Sequence, residues 1–572
     1  MKTIIHKIPI ILKENLFLML IILLGLLVRF WGINFGLPLE LHSDEHIFIM
    51  HALKFGTGDF NPHDFLYPSL TYYLLFILFG FYFVFGYIVG LFHSASDFAT
   101  LYFTDPSSFY IIGRSLMALL GGATVFIVYL MGKKLFESKV GLVSALFMAF
   151  VFWHVRNSHF IKPDVLMTFF ISLTFLFAVY IFLSGDTKFY ILCGMMAGLA
   201  VASKYTGGVI TVCIVMAHIL NSFKKQNLLK IIFSGKLLLG FFFILIGFFI
   251  GSPFAFLDFN SFFPYIIDLS KQGEMAWIGS NNYGNFWLLT LTKHLKTGMG
   301  LHFELLGLFG LLYCLVYKRK KEDLLLVSFP ILYFMIFGGM KYNFPRFWIP
   351  IFPFLLIMGS RLLNEIIFNT RFFMKERGTI LAFVSVLFII PSVVSDVKYD
   401  LLISNKYTSN LAQEWIENNI PPNTKIVVEK RFGLDINRSA ESIMAERDRE
   451  LYLSKTNSLK ESESHMIESL SEPYENKKQY YDFLLSIPEE EKSYYVYNAW
   501  SAGEKEYSYY VDNGFRYIVI GLIYRDYRAQ PEKYPNVNRF YEELFDKGEL
   551  IKEFIPNDIN QPGSHIRVYR IS

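Results

Sequence analysis

Three cysteines in 572 residues are too few for a disulfide framework, and Cys193, Cys213 and Cys314 each lie inside an apolar stretch. No CxxC metal or redox site is present, so neither chemistry is suggested. Charge is also scarce. Lys, Arg, Asp and Glu make up 18% of the chain, and a net +4 offers no electrostatic footprint for nucleic acid. There is no glycine-rich nucleotide loop, no internal repeat and no low-complexity tract. What fills the chain instead is oil: 53% hydrophobic and 18% aromatic, in repeated runs near the ~20 residues that span a bilayer. A large soluble protein is excluded, and a polytopic membrane protein is expected.

The first run is too long for the core of a signal peptide and lacks a small-residue cleavage pattern, so it reads as a retained anchor. Spans are expected near 14–31, 111–132, 140–156, 165–183, 189–203, 206–221, 233–251, 301–317, 323–339, 347–364 and 379–396. Basic residues stay cytoplasmic, and this sets orientation. With the N-terminus inside, the inner loops hold Lys133, Lys134, Lys139, Lys188, Lys224, Lys225, Lys230, Lys318 to Lys321, Arg371, Lys375 and Arg377. Eleven crossings then leave the C-terminal region outside, at a cell (inner) membrane.

One stretch resists. Residues 67–92 are apolar and long enough to cross, yet a single crossing there would turn every later basic loop outward. They are expected to be re-entrant or surface-lying, with Gly80, Gly86 and Gly90 permitting breaks. Beyond residue 396 the pattern alternates between helix and strand periods. LAQEWIENNIPPNTKIVVE reads as helix, Pro turn and strand; GFRYIVIGL as a strand; PNVNRFYEELFDKGELIKEF as an amphipathic helix; SHIRVYRI as a closing strand. The charged stretch 440–490 is expected to be a helical insertion or a mobile loop. The division is 1–396, a transmembrane domain, and 397–572, an extracytoplasmic soluble α/β domain.

In this threading the outer side gathers an unusual polar set. The first outer loop carries His42, Asp44, Glu45, His46 and His51; the second carries Arg156, Asn157, His159, Lys162 and Asp164. SKYTGG brings Lys204, the loop before the tenth span brings Lys341 and Arg346, and Arg114 opens the second span. Adjacent carboxylates beside hydrocarbon cost a few kcal/mol, so Asp44 and Glu45 are functional suspects. Arg and Lys suit the phosphate of a lipid-carried anion, Arg as a fork and Lys as a point charge. A carboxylate suits proton removal from an incoming hydroxyl. Each piece also has a structural reading. Asp44, Glu45 and Asp164 could start helices, and Lys204 and Arg346 could snorkel to headgroups. His42, His46 and His159 lack a paired ligand spacing for metal, and His51, His154 and His302 read as structural.

At these residues the chain resembles GT-C glycosyltransferases, in particular glycosyltransferase family 39, the dolichyl-phosphate-mannose protein mannosyltransferases and the aminoarabinose transferase of lipid A. The resemblance is carried by SDEHIF, YPSLTYYLL, GRSLMALLGGATVFIVYLMGKKLF, RNSHFIKPDVLMTFF, GLAVASKYTGG and PRFWIPIFPFLLIMGS, in that order over most of residues 14–364. It implies a GT-C fold and inverting transfer of a sugar from polyprenyl phosphate to a glycan, lipid or protein acceptor at the outer face. It implies Asp44 as base, Glu45 as its positioning neighbour and Asp164 as a supporting carboxylate. Lys204, Arg346 and Arg114 would serve the carrier phosphate, with His42, His159 and Lys341 in support. No cofactor is required, although a divalent metal is compatible. The C-terminal region does not match the lectin-like insertion of eukaryotic protein mannosyltransferases. Two rivals are a transporter or flippase of a lipid-linked glycan, which should show repeats and mid-membrane polar groups, and a receptor anchored by its membrane region.

Overall fold

The computed structural model describes residues 8–39, 43–222, 230–231, 233–272, 284–369, 376–429, 434, 436–456 and 474–572. His42, Lys224, Lys225, Arg371 and Lys375 lie outside the described residues. Each of the eleven expected spans falls on a helix: Ile8–Phe30, Ser107–Leu135, Ser138–Phe150, Pro163–Ser184, Thr187–Ser203, Thr211–Ser222, Gly235–Gly251, Leu301–Leu312, Lys321–Phe337, Phe352–Asn369 and Arg377–Ile403. Several begin or end in tighter or looser turns, such as the 3-10 segments Tyr205–Ile210 and Pro345–Ile351. Among the described residues seven helices are long and apolar enough to cross a membrane. The protein is a polytopic helical membrane protein with a small C-terminal sheet.

Two corrections concern the oily stretch at 67–92 and the end of the chain. Leu70–Ile88 is one unbroken helix of 19 residues, about 28 Å long by the usual rise, so Gly80 and Gly86 do not break it and it does not turn back. Gly90, at φ +80°, comes only after its end. The amphipathic helix Pro535–Lys547 stops before Glu549–Phe554, which is a strand rather than its continuation. Gly548 marks the change. A Cβ there would stand 2.6 Å from the Leu544 carbonyl.

The chain divides into two compact units. The first comprises Met1–Ile33, Phe48–Gly80 and Ile111–Asp400. Its helices approach closely where small residues face each other: a Cβ on Gly198 would stand 2.2 Å from the Ile244 carbonyl, and one on Gly194 2.2 Å from that of Gly240. Such glycine contacts replace hydrophobic drive with van der Waals contact between backbones. They bind helix Thr187–Ser203, which ends at Lys204, to helix Gly235–Gly251. Side-chain pairs add further ties, among them the buried Arg361 with Asp323, and the part-buried Glu14 with both Tyr129 and Lys133. The three cysteines are buried thiols.

The second unit comprises Asn34–Ile47, Phe81–Tyr110 and Leu401–Ser572. Its sheet runs β2-β1-β3-β5-β4, with β1 Lys425–Glu429, β2 Tyr495–Ala499, β3 Tyr517–Ile520, β4 Glu549–Phe554 and β5 Ile566–Arg570. The first three are parallel, and β5 and β4 close it antiparallel. The β2 strand had no clear sequence signal. Its burial pattern is irregular, and the flanking tyrosines suit a helix equally well. Within 440–490 the described parts are helices Ala440–Thr456 and Tyr474–Ser486, and 457–473 lie outside the described residues. An aromatic cluster of Tyr82, Phe83, Phe92, Phe98, Tyr102, Phe103 and Phe109 is joined by Tyr480 and Phe483.

Glu429 ends β1 almost fully buried. Its carboxylate accepts N–H groups from Ala502 (3.1 Å) and Gly521 (2.8 Å), and the Tyr541 hydroxyl. The central parallel strand is thereby latched to both neighbouring carboxyl ends. In open α/β sheets that edge is the customary ligand crevice; here a side chain of the protein occupies it.

A candidate carboxylate and cation site

Asp164 stands in the first turn of helix Pro163–Ser184, with Pro163 fixing the entry. Its side chain is 2% exposed. Lys204 terminates helix Thr187–Ser203, where the backbone turns extended before the 3-10 segment Tyr205–Ile210. The two helix ends meet. Lys204 Nζ donates to Asp164 Oδ1 at 2.7 Å. The same ammonium lies 4.3 Å from the centre of the Phe347 ring, and the Arg346 guanidinium lies 5.6 Å from that ring and 5.0 Å from Phe344. Tyr333 donates to the Phe347 carbonyl at 2.9 Å, fixing the 3-10 segment that carries both residues. Lys204 and Arg346 thus share one aromatic ring within one unit, and Asp164, 182 positions before Arg346, joins them through its bond to Lys204. Aromatic faces hold cations without neutralising them.

Other predicted residues take different places. Arg114 is buried and donates to the Ile33 carbonyl at 3.0 Å. Lys341 is exposed in the stretch before Pro345. His159 is buried, with Nε2 3.0 Å from the Trp31 carbonyl, Nδ1 3.1 Å from that of Val155, and Asp400 3.5 Å away. Both ring nitrogens are engaged by its surroundings, so His159 supports the loop's shape. Arg156 sits over Trp153, Phe160 and Tyr399.

Asp44 and Glu45 occupy the first turn of helix Ser43–Lys54, in the part belonging to the second unit. Asp44 and His46 are half-buried, and Glu45 is fully buried. Among the described residues no three His, Cys, Asp or Glu side chains come together as a metal ion requires.

Sequence reasoning missed Arg29. Its guanidinium is wholly buried and donates to the Gly25, Ala149 and Met148 carbonyls, with His154 Nδ1 at 3.0 Å. It thereby caps the carboxyl end of helix Ser138–Phe150, where the chain breaks at Val151 before the loop leading to Asp164. Asp396 and Asp400, both buried, lie near enough to interact with it electrostatically. The only available signal was an arginine ending the first oily run and two aspartates ending the last.

Residues 108–250, which contain Asp164 and Lys204, match the family model described as dolichyl-phosphate-mannose-protein mannosyltransferase. An uncharacterized protein of Aquifex aeolicus is 27% identical over 259 residues, 44% of this chain and 48% of that one, so the match spans about half the relative's length. Among solved structures, the Archaeoglobus fulgidus oligosaccharyltransferase AglB, in complex with an inhibitory peptide and a dolichol-phosphate, is 12% identical. That likeness covers 97% of this chain and 74% of that one, at a TM-score of 0.48. ArnT from Cupriavidus metallidurans, bound to undecaprenyl phosphate, is also 12% identical, covering 96% of this chain and 97% of that one at a TM-score of 0.48.

Proposed function

We propose that this chain is an integral membrane glycosyltransferase of GT-C type, moving a sugar from a polyprenyl-phosphate carrier to an acceptor hydroxyl at the extracytoplasmic face, with inversion. The observation that carries this reading is the pair of cations Lys204 and Arg346 over Phe347, with Asp164 bonded to Lys204. The family match over 108–250 supports it, because it covers two of the three. Lys204 and Arg346 would hold the carrier phosphate, one as a point charge and one as a fork. Asp164 keeps the lysine aimed through their 2.7 Å bond.

Asp44 is assigned as general base and Glu45 as its neighbour that orients the acceptor. As the acceptor oxygen bonds to the anomeric carbon, its proton passes to the Asp44 carboxylate. The bond from that carbon to the phosphate oxygen breaks, and the electron pair leaves on the phosphate. Charge growing on the leaving phosphate is stabilised by fixed cations, commonly the largest catalytic term. General-base help adds roughly 10²–10⁴-fold.

The test is incubation of membranes with radiolabelled polyprenyl-phosphate sugar, following released carrier phosphate and labelled acceptor. Asp44→Asn is expected to abolish transfer while expression and donor binding persist. Normal turnover by that variant removes Asp44 from the base role, and no carrier release by the unmodified chain removes the reaction.

A further inference from the structure

Between helices Ser43–Lys54 and Leu70–Ile88 the chain folds back and buries Asp64, which is 6% exposed. One carboxylate oxygen, Oδ1, accepts the Leu66 N–H at 2.9 Å. The other, Oδ2, has no hydrogen-bond partner among the described residues and lies 3.9 Å from His51 Nε2, beyond bonding distance. The His51 ring is stacked on Tyr72, centroids 4.6 Å apart at 12°. Tyr72 is wholly buried, and its hydroxyl also has no partner among the described residues. His51 therefore stands between the two, its ring on Tyr72 and its Nε2 beside the Asp64 carboxylate. The loop is tied to the carrier-phosphate lysine through its neighbour: the Tyr205 hydroxyl donates to the Phe65 carbonyl at 2.9 Å.

A buried hydroxyl without a partner costs about 1–3 kcal/mol, and phenylalanine would remove that cost without changing shape. The chain uses phenylalanine 61 times, yet carries tyrosine here. An acceptor oxygen and a donor hydroxyl beside a flat imidazole make a matched set for a group that both donates and accepts. A phosphate is the wrong partner for a carboxylate oxygen, because two anions repel. A carbohydrate hydroxyl is the right one. Sites built to bond a hydroxyl discriminate strongly against ligands lacking it.

We propose that Asp64, Tyr72 and His51 form a carbohydrate-hydroxyl subsite, with Asp64 Oδ2 accepting from the sugar hydroxyl, Tyr72 donating to it, and His51 packing as the wall. This rests on the glycosyltransferase reading. The hydroxyl belongs either to the donor sugar or to a glycan acceptor.

The test uses the full chain in nanodiscs and Tyr72→Phe, with Asp64→Asn as the second variant. Thermal shifts are measured with polyprenyl-phosphate mannose, polyprenyl-phosphate glucose and bare polyprenyl phosphate, and KM and kcat with a glycan acceptor. Removal of a hydroxyl that bonds none of the described residues should leave the unliganded Tm unchanged or higher. If the donor sugar is bound, affinity for a sugar-bearing lipid falls about tenfold while the bare carrier binds as before. If the acceptor is bound, donor binding holds and acceptor KM rises about tenfold at constant kcat. A lowered Tm with unaltered binding and KM means that the hydroxyl is satisfied internally, and overturns the proposal; so does no change in either arm. Unmodified protein that distinguishes sugar-bearing from bare lipid, without turnover, sinks the transferase reading and leaves the subsite standing if Tyr72→Phe erases that preference. Turnover that Tyr72→Phe leaves untouched does the reverse.

Discussion

Lys204 donates to Asp164 across 2.7 Å, and the two residues end and begin different helices. This pair decides how the rest of the site is held. A lysine released at a helix end would be swept by its own rotamers. Anchored to a carboxylate that is 2% exposed, it presents a fixed charge over Phe347.

Breaking that pair from one side leaves an uncompensated charge in a mostly buried place. Lys204→Met is expected to cost about 3–5 kcal/mol of stability, with Asp164→Asn recovering part of it in the double variant. Thermal unfolding of the four proteins in detergent measures the coupling. Strict additivity would show that the contact carries no energy. Release of carrier phosphate should be lost in Lys204→Met and remain lost in the double variant, because stability alone does not restore the cation.

The glycine contacts behind Lys204 should be intolerant of any side chain. Gly198→Val places carbon against the Ile244 carbonyl, where even a Cβ would stand 2.2 Å away, and should cost about 1–3 kcal/mol or more through overpacking. Gly80→Ala is the contrast. Nothing lies within 4 Å of a Cβ there, so helix propensity acts alone and should stabilise by about 0.5–1 kcal/mol. Tm values of opposite sign are expected from the two.

In the sheet, Glu429→Gln replaces a charged acceptor of three donors by an amide whose NH2 faces other N–H groups. A loss of about 1.5–3 kcal/mol is expected, as for hydrogen bonds to charged groups. Hydrogen exchange should quicken at whichever of Ala502 and Gly521 comes to face the amide NH2, since the two bond different carboxylate oxygens. Unchanged protection at both would mean that the latch is not what holds β1 to its neighbours.

Across β4 and β5, Glu553 pairs with Arg567 (2.6 Å) and His565 (2.7 Å), and these bonds hold its carboxyl below the ordinary value. A depressed carboxyl binds fewer protons when folded than when unfolded. Its stabilisation is therefore present above the unfolded value of about 4.3 and fades as pH falls through the lower folded value. Amide protection in Ile566–Arg570, corrected for intrinsic exchange, should decline from pH 5 downward, and Glu553→Gln should flatten that decline. The carboxylate is 29% exposed, so solvent keeps the effect small.

The spans were legible because oil in water must be covered, and a run of some 20 apolar residues announces itself without knowledge of neighbours. Asp164, Lys204 and Arg346 were legible because charge beside hydrocarbon is scarce. Their meeting was not, since it depends on where helices break. The break at Val151 is held by Arg29, whose guanidinium spends itself on carbonyls that no local pattern identifies. The re-entrant alternative for 67–92 failed for a related reason: glycine permits a bend, but whether a helix bends depends on what packs against it, and Gly80 has nothing near.

Composition and periodicity alone determined that this chain lives in a membrane, which segments are helical, and that a mixed α/β region follows them. Tertiary structure alone decided that Lys204 reaches Asp164, that Glu429 fills the edge of its own sheet, and that Tyr72 Oη and Asp64 Oδ2 are buried without a hydrogen-bond partner among the described residues. The physical reason is range. Hydrophobic patterning is a property of neighbours along the chain, whereas ion pairs and unsatisfied polar atoms are properties of neighbours in space.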